Sequence, residues 1–183
     1  MTAEQKYSVV EVKDGYELRR YEKSVIAEVK VSSDFSSAGN VAFRYLINFI
    51  SGNNANQQKI AMTAPVLQLE NLTMNLSNMS ASHSHHLVSF VMPQGMNVTE
   101  TPAPNDPNVH IRELPEQLVA VSRFTGRWSQ QNYDQQLQKL RASLQEDGFL
   151  EVESPRFARF DPPWTPWFIR RNEIQIPVET RTT

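Results

Sequence analysis

The residues best able to bind a metal or carry a proton near neutral pH are four histidines, three of which fall together as Ser82-His83-Ser84-His85-His86. On an extended strand His83 and His85 share a face, a spacing that suits a transition metal. No Asp, Glu or Cys lies beside them, and the run ends a Ser/Asn-rich stretch, so solvated loop histidines are the simpler reading. His110 opens a strand-like segment and reads as an ordinary surface residue. Cysteine is absent, which removes thiol nucleophiles, disulfides and thiolate-ligated metals. The six glycines are scattered singly, so no phosphate-cradling loop exists, and no G-x-S-x-G elbow activates a serine. Glu173, beside Arg170 and Arg171, fits a structural ion pair. Nothing here forms a catalytic constellation.

Two segments point instead to binding. Lys59-Ile60-Ala61-Met62-Thr63-Ala64-Pro65-Val66 places a polarizable methionine among small residues. Phe160-Asp161-Pro162-Pro163-Trp164-Thr165-Pro166-Trp167-Phe168-Ile169-Arg170-Arg171-Asn172-Glu173 sets aromatics in a proline-stiffened loop and then delivers two arginines. A rigid aromatic wall with adjacent guanidinium groups suits a planar apolar ligand with acidic edges. The plain alternative is a loop that plugs one end of a barrel.

The elements that must position these segments follow from periodicity. Tyr7–Val12, Tyr16–Tyr21 and Val25–Val31 read as half-buried antiparallel strands. From Phe35 the period becomes helical through Ala38, Ala42, Tyr45, Leu46 and Phe49, with Ser33 or Asp34 as cap and Gly52 as the stop. Ile60–Leu69 is a strand interrupted by Pro65, expected at an edge or a bulge. Asn71–His85 reads as a polar connection, Leu87–Met92 as a strand, and Pro93–Asn108, with four prolines, as a second long loop. Leu18-Arg19 and Val25-Ile26-Ala27 meet Ile111-Arg112 and Leu118-Val119-Ala120 at one offset of 93 residues. A second helix, capped at Ser129, runs through Tyr133, Leu137, Leu140 and Leu144 to Gly148. Strands near Arg156–Phe160 and Asn172–Val178 end the chain. The pattern is an α+β fold built from a duplicated β-β-α-β-β unit, with halves at about 7–92 and 109–178 of a single domain spanning 1–183. The two halves are expected to form one barrel-like sheet with both helices outside.

The chain has 183 residues, a formal charge of −2 and a pI near 6.1. That size fits one domain with an adequate core. The flat charge balance argues against a nucleic-acid partner or an anionic-membrane surface. No apolar run approaches the roughly 18 residues of a membrane span. The opening residues carry no secretory or transit pattern, so a cytoplasmic protein is expected and the four sequons at Asn71, Asn75, Asn78 and Asn97 are read as incidental.

The runs KIAMTAPV, FDPPWTPWFIRRNEI and YELRRYEKSVIAEV resemble the SOUL haem-binding protein family over Tyr7 to Val178, most weakly across Asn71–Asn108. The resemblance implies a distorted antiparallel β-barrel of about eight strands flanked by two helices. It implies a non-catalytic protein that holds haem or another tetrapyrrole in an apolar groove for buffering or transport. Carried onto this chain, the first-helix face would contribute Phe43, Leu46, Ile47 and Ile50. Met62, Trp164, Trp167 and Phe168 would line the rest, with Arg44, Arg170 or Arg171 at the ring carboxylates. The chain departs from the pattern in having no histidine before position 83, and in Asn48 and Thr165 where some relatives are basic. His83, His85 and His86 are the remaining histidine candidates near such a ring, and the identity of any metal ligand stays open. A different class is an effector-binding or sequestering barrel for varied small molecules, with hydrolase activity if a buried glutamate sits at the pocket floor. A third is a protein-interaction domain whose groove takes an apolar helix.

Overall fold

The computed structural model describes residues 2–71 and 84–180. Its elements, in chain order, are β1 (Ala3–Glu4), β2 (Tyr7–Lys13), β3 (Tyr16–Tyr21), β4 (Ser24–Ser33), α1 (Phe35–Ile50), β5 (Thr63–Ala64), β6 (Val66–Asn71) and β7 (Ser84–Val91). They continue with β8 (Val109–Leu114), β9 (Gln117–Phe124), α2 (Gln130–Glu146), β10 (Phe149–Glu151), β11 (Arg156–Arg159) and β12 (Asn172–Thr180). Both helices begin on caps that the sequence offers. The Asp34 carboxylate accepts the Ser37 N–H at 2.8 Å, and the Ser129 hydroxyl accepts the Asn132 N–H at 3.3 Å. Asp14-Gly15 turns β2 into β3, with Gly15 at φ +83°, where a side chain would be strained.

The main sheet runs β2-β3-β9-β12-β11-β6-β7-β4-β8, with β10 added on β12. From β3 to β8 this order is reversed when each strand is exchanged for its counterpart in the other half of the chain (β3 with β8, β4 with β9, β6 with β11, β7 with β12). The register explains how the halves join. Tyr21 lies opposite Gln117 in the β3–β9 pair, and Ser24 lies opposite Leu114 in the β4–β8 pair. Three steps forward on one strand are three steps back on the other, so β3–β4 and β8–β9 form one long ribbon bent at residues 22–23 and 115–116. The bend hands the ribbon from one half of the sheet to the other, so β3 does not pair with β4, nor β8 with β9.

The sequence-based expectation of an eight-stranded barrel is therefore corrected. The hydrogen-bonded path stays open, ending at β2 on one side and β8 on the other. Pro65 is corrected as well: it precedes β6, a central strand between β11 and β7, rather than marking an edge. The second strand of that hairpin begins at Ser84 instead of Leu87, because Ser32 and Ser33 of β4 remain in register with His85 and Ser84. The short β1, parallel to β5, was not legible.

Each helix covers its own half of the sheet. Ala38, Ala42, Leu46, Phe49 and Ile50 of α1 pack on Val25, Ala27, Val29, Val88 and Phe90. Tyr133, Leu137, Leu140 and Leu144 of α2 pack on Leu18, Ala120, Ile174 and Ile176. Phe35, the first residue of α1, crosses into the second core, 5.4 Å from the Phe157 ring and 5.0 Å from that of Tyr133.

His86 faces this junction from β7. It is fully buried and edge-on to Phe35, and among the described residues neither ring nitrogen finds a well-formed hydrogen bond, the Ser33 backbone lying nearby. Burial is the main influence holding its pKa below the ordinary histidine value; Arg159 works in the same direction, against Glu70, the Ser33 backbone and Asp34. The unfolded chain takes up a proton here near pH 6.5, while the native ring stays neutral to lower pH. The stability His86 contributes is thus complete above about pH 6.5 and is lost as pH falls below it, by up to about 1.4 kcal/mol per pH unit. We expect wild type to lose stability between pH 7.5 and 5.5 in denaturant titrations, and His86→Leu to lose about 1 kcal/mol less. Equal losses would contradict the assignment.

Candidate functional site

A groove of about 370 Å³ opens beside the N-terminal half of α1. Gly39, Asn40 and Phe43 supply the helix side, and Met62, Thr63, Ala64 and Val66 supply the wall around β5. Arg159, at the end of β11, and Trp128, just before α2, close the floor; Phe160 through Trp164 form the far wall, and Thr2 reaches its edge. Apart from these few polar groups the surface is apolar.

The far wall is rigid for reasons visible in its bonding. The Asp161 carboxylate accepts the Arg171 N–H at 2.5 Å, and Thr165 N–H donates to Pro162 O at 3.0 Å. Arg170 Nε donates to Thr165 O at 2.7 Å, tying the loop across its base. Gly126 N–H holds Trp167 O from outside at 3.1 Å. With Pro162, Pro163 and Pro166 restricting φ, the loop keeps Trp164 83% exposed at the mouth instead of folded inward.

Of the ligand residues expected from sequence, Phe43, Met62 and Trp164 meet in this groove. Arg44 is exposed one position beyond Phe43 on the helix and outside the lining. Leu46 and Ile50 lie on the buried stripe of α1, and Ile47 packs partly against the same core. Trp167 and Phe168 stand outside the groove, edge-on to each other at 5.7 Å. Arg170 stacks on the Trp128 ring at 4.3 Å. Arg171 pairs with Glu4 at 2.9 Å and Glu173 at 3.1 Å, and lies 3.8 Å from the centre of the Phe160 ring. His85 is exposed on β7, His86 is buried on its other face, and His83 lies outside the described residues. Among the described residues no three His, Cys, Asp or Glu side chains gather to hold a metal ion. None of their helices is long and apolar enough to cross a membrane.

Glu173 does sit in an ion pair, as expected, and a second arginine joins it. Its buried carboxylate meets Arg19 at 3.1 Å as well as Arg171, and Gln175 Nε2 donates to it at 3.2 Å. Arg171 extends that network to Glu4, pinning the N-terminal strand at the groove's edge.

Five groove residues escaped the sequence reading, Thr2, Gly39, Asn40, Trp128 and Arg159, of which Gly39, Trp128 and Arg159 meet at one buried charge. The side chain of Arg159 is buried, with its guanidinium 4.8 Å from the Trp128 ring centre. Among the described residues its Nη2 is engaged, with Phe35 O at 3.4 Å and with Gln68 Oε1, while Nε finds no partner. Among the described residues no carboxylate lies within 4 Å of it. Burial, then the neighbouring Arg170, pushes its pKa down to about 10, so it remains charged at neutral pH. A Cβ at residue 39 would stand 2.2 Å from its Nη1, which accounts for a glycine inside the helix. That glycine, unfavourable by about 1 kcal/mol relative to alanine, was the one sequence signal available.

The family model for the SOUL heme-binding protein matches residues 2–177. The chain belongs to the SOUL family. This SOUL chain is 30% identical to human heme-binding protein 2 over 167 residues, covering 86% of this chain and 79% of that protein. It is 26% identical to heme-binding protein 1 of Xenopus tropicalis over 165 residues, covering 88% and 84%. Its fold is shared with the EcmrR C-terminal domain, at a TM-score of 0.65 and 16% identity, covering 95% of this chain and 98% of that one. A Listeria innocua hydrolase superposes at a TM-score of 0.64 and 8% identity over 98% of this chain and 100% of that one. At such identities the likeness concerns the fold alone.

Removing the Glu173 charge leaves Arg19 and Arg171 facing an uncompensated site. We expect Glu173→Gln to lower unfolding free energy by about 3 kcal/mol in denaturant titrations. A loss under about 1 kcal/mol would mean that Glu17 and Glu4 already neutralise the two arginines.

Proposed function

We propose that this SOUL-family chain binds haem or another tetrapyrrole without catalysis, holding the ring in the groove beside α1 for buffering or transport. The observation that carries the reading is the meeting of Phe43, Met62 and Trp164 around one apolar groove. The two named heme-binding relatives support the choice of ligand. A flat ring gains from apolar burial and from aromatic neighbours that are already fixed. Covering about 300 Å² of apolar surface contributes roughly 7 kcal/mol before association costs, so micromolar affinity, about −8 kcal/mol, also draws on aromatic and charged contacts in the groove. Met62 and Trp164 act as opposing walls, and Phe43, held edge-on to Phe90 at 5.6 Å, keeps the helix side apolar.

The groove's titratable groups favour holding a ligand over hydrolysing one. Arg159 occupies the floor and Asp161 is turned to the Arg171 N–H, while the buried Glu173 lies outside the lining, paired with two arginines. We also take residues 1–183 as one domain of two repeated halves, 7–92 and 109–178, a reading supported by the mirrored strand order.

Titration with haemin and with iron-free protoporphyrin IX, followed by absorption and by tryptophan quenching, is expected to saturate at one ligand per chain at micromolar concentration. Met62→Ala and Trp164→Ala are each expected to weaken both ligands about 5- to 30-fold, the effect of losing about 1–2 kcal/mol of contact. Unchanged affinity in both variants would place the ligand elsewhere, and loss confined to haemin in Met62→Ala would make the thioether an iron ligand.

A further inference from the structure

We infer that the groove selects carboxylate-bearing ligands and takes them acid-first, with the anionic group buried against Arg159 between Gly39 and Trp128. The inference rests on the proposal that the groove is the ligand site, and adds the orientation and chemical class of what enters.

A guanidinium removed from water without a carboxylate is costly, because its hydration is lost and no opposite charge replaces it. Arg159 is in that state. Among the described residues its Nε and Nη1 have no hydrogen-bond partner, and Nη2 meets only neutral oxygens, from Phe35 and Gln68. The other charged groups nearby do not relieve it. Arg170 carries the same sign and lies over the Trp128 ring at 4.3 Å, while Asp161, which also lines the groove, is committed to the Arg171 N–H. Among the described residues the other buried arginines have acidic partners: Arg19 has Glu17 and Glu173, and Arg156 has Glu153.

The surroundings are shaped around this cation. Residue 39 is a glycine where any side chain would strike Nη1, so α1 closes directly over the guanidinium. Trp128 covers it on another side and is itself fixed by an Nε1–H bond to Asn172 Oδ1 at 2.8 Å. What remains open is the groove. An oxyanion there can receive charge-assisted hydrogen bonds in a low-dielectric setting, where they are strongest. The apolar body of the ligand then lies outward, along Phe43, Met62 and Trp164. An ester or amide of the same ring fits the same walls but offers no charge, and leaves the guanidinium buried and unpaired.

The test compares iron-free protoporphyrin IX with its dimethyl ester on the wild-type chain, by quenching of tryptophan fluorescence. The free acid is expected to bind about 30-fold or more tighter than the ester. In Arg159→Met the acid should weaken to the level of the ester, while ester affinity stays within about threefold of wild type. Gly39→Ala should narrow the gap by displacing the guanidinium. Equal wild-type affinity for acid and ester overturns acid-first binding and leaves the groove proposal standing. Binding of neither compound to folded wild type overturns the groove proposal itself. If Arg159→Met fails to fold, the wild-type acid and ester affinities still decide the matter, because they need no variant.

Discussion

The guanidinium of Arg159 lies where a Cβ at residue 39 would stand, so the backbone of α1 meets this cation directly. Around it converge the start of α1 through Phe35 O, the central strand β6 through Gln68, and the indole that precedes α2. These elements come from both halves of the chain. Burying an unpaired cation at such a junction opposes folding by several kcal/mol. The two aromatic and aliphatic cores on either side offset that cost, and the stacked Phe35, Phe157 and Phe124 rings join the two halves beneath it.

The groove follows from this junction and from the bent ribbon. Because β3–β4 and β8–β9 continue in one register through the bend, the sheet splits into two halves that each carry a helix. The halves meet again at the β6–β11 pair, and the groove opens where both of those strands begin or end. Val66 starts β6 and Arg159 ends β11, so the walls on either side are the irregular segments leading away from the strands. Irregular backbone can bring a methionine and a proline-stiffened aromatic loop to one site. The Glu173 network then fixes Arg171, and through it Glu4, so that the loop base and the N-terminal strand share one anchor.

Much of this was legible in the sequence. Helical spacing located both helices and their caps, because the apolar stripes at Ala38, Ala42, Leu46 and at Tyr133, Leu137, Leu140 are dictated by which face must be buried. The segments carrying Met62 and Trp164 were recognisable by composition and by family resemblance. Other features were hidden for physical reasons. Leu46 and Ile50 lie within about 60° and 20° of Phe43 around the helix, so spacing puts all three on one face, and only the docking of α1 on the sheet decides which part of that face meets the groove. Arg170 and Arg171 look free to meet a ligand in one dimension. Their partners, the Trp128 ring, Glu4 and Glu173, are supplied by chain crossings that spacing does not encode. The open sheet was hidden too, since local alternation makes strands without saying whether their outer edges meet. Gly39 was the remaining clue: a mid-helix glycine has no local reason and points to a close neighbour.

The central claim is that a flat ligand lies against Met62 in this groove, and methyl NMR on the chain labelled at its methionine methyl carbons tests it directly. On saturation with iron-free protoporphyrin IX, the ring current of the bound macrocycle is expected to move the Met62 methyl signal strongly while Met92, buried in the core, stays in place. A Met62 signal that does not move at saturation would contradict the account.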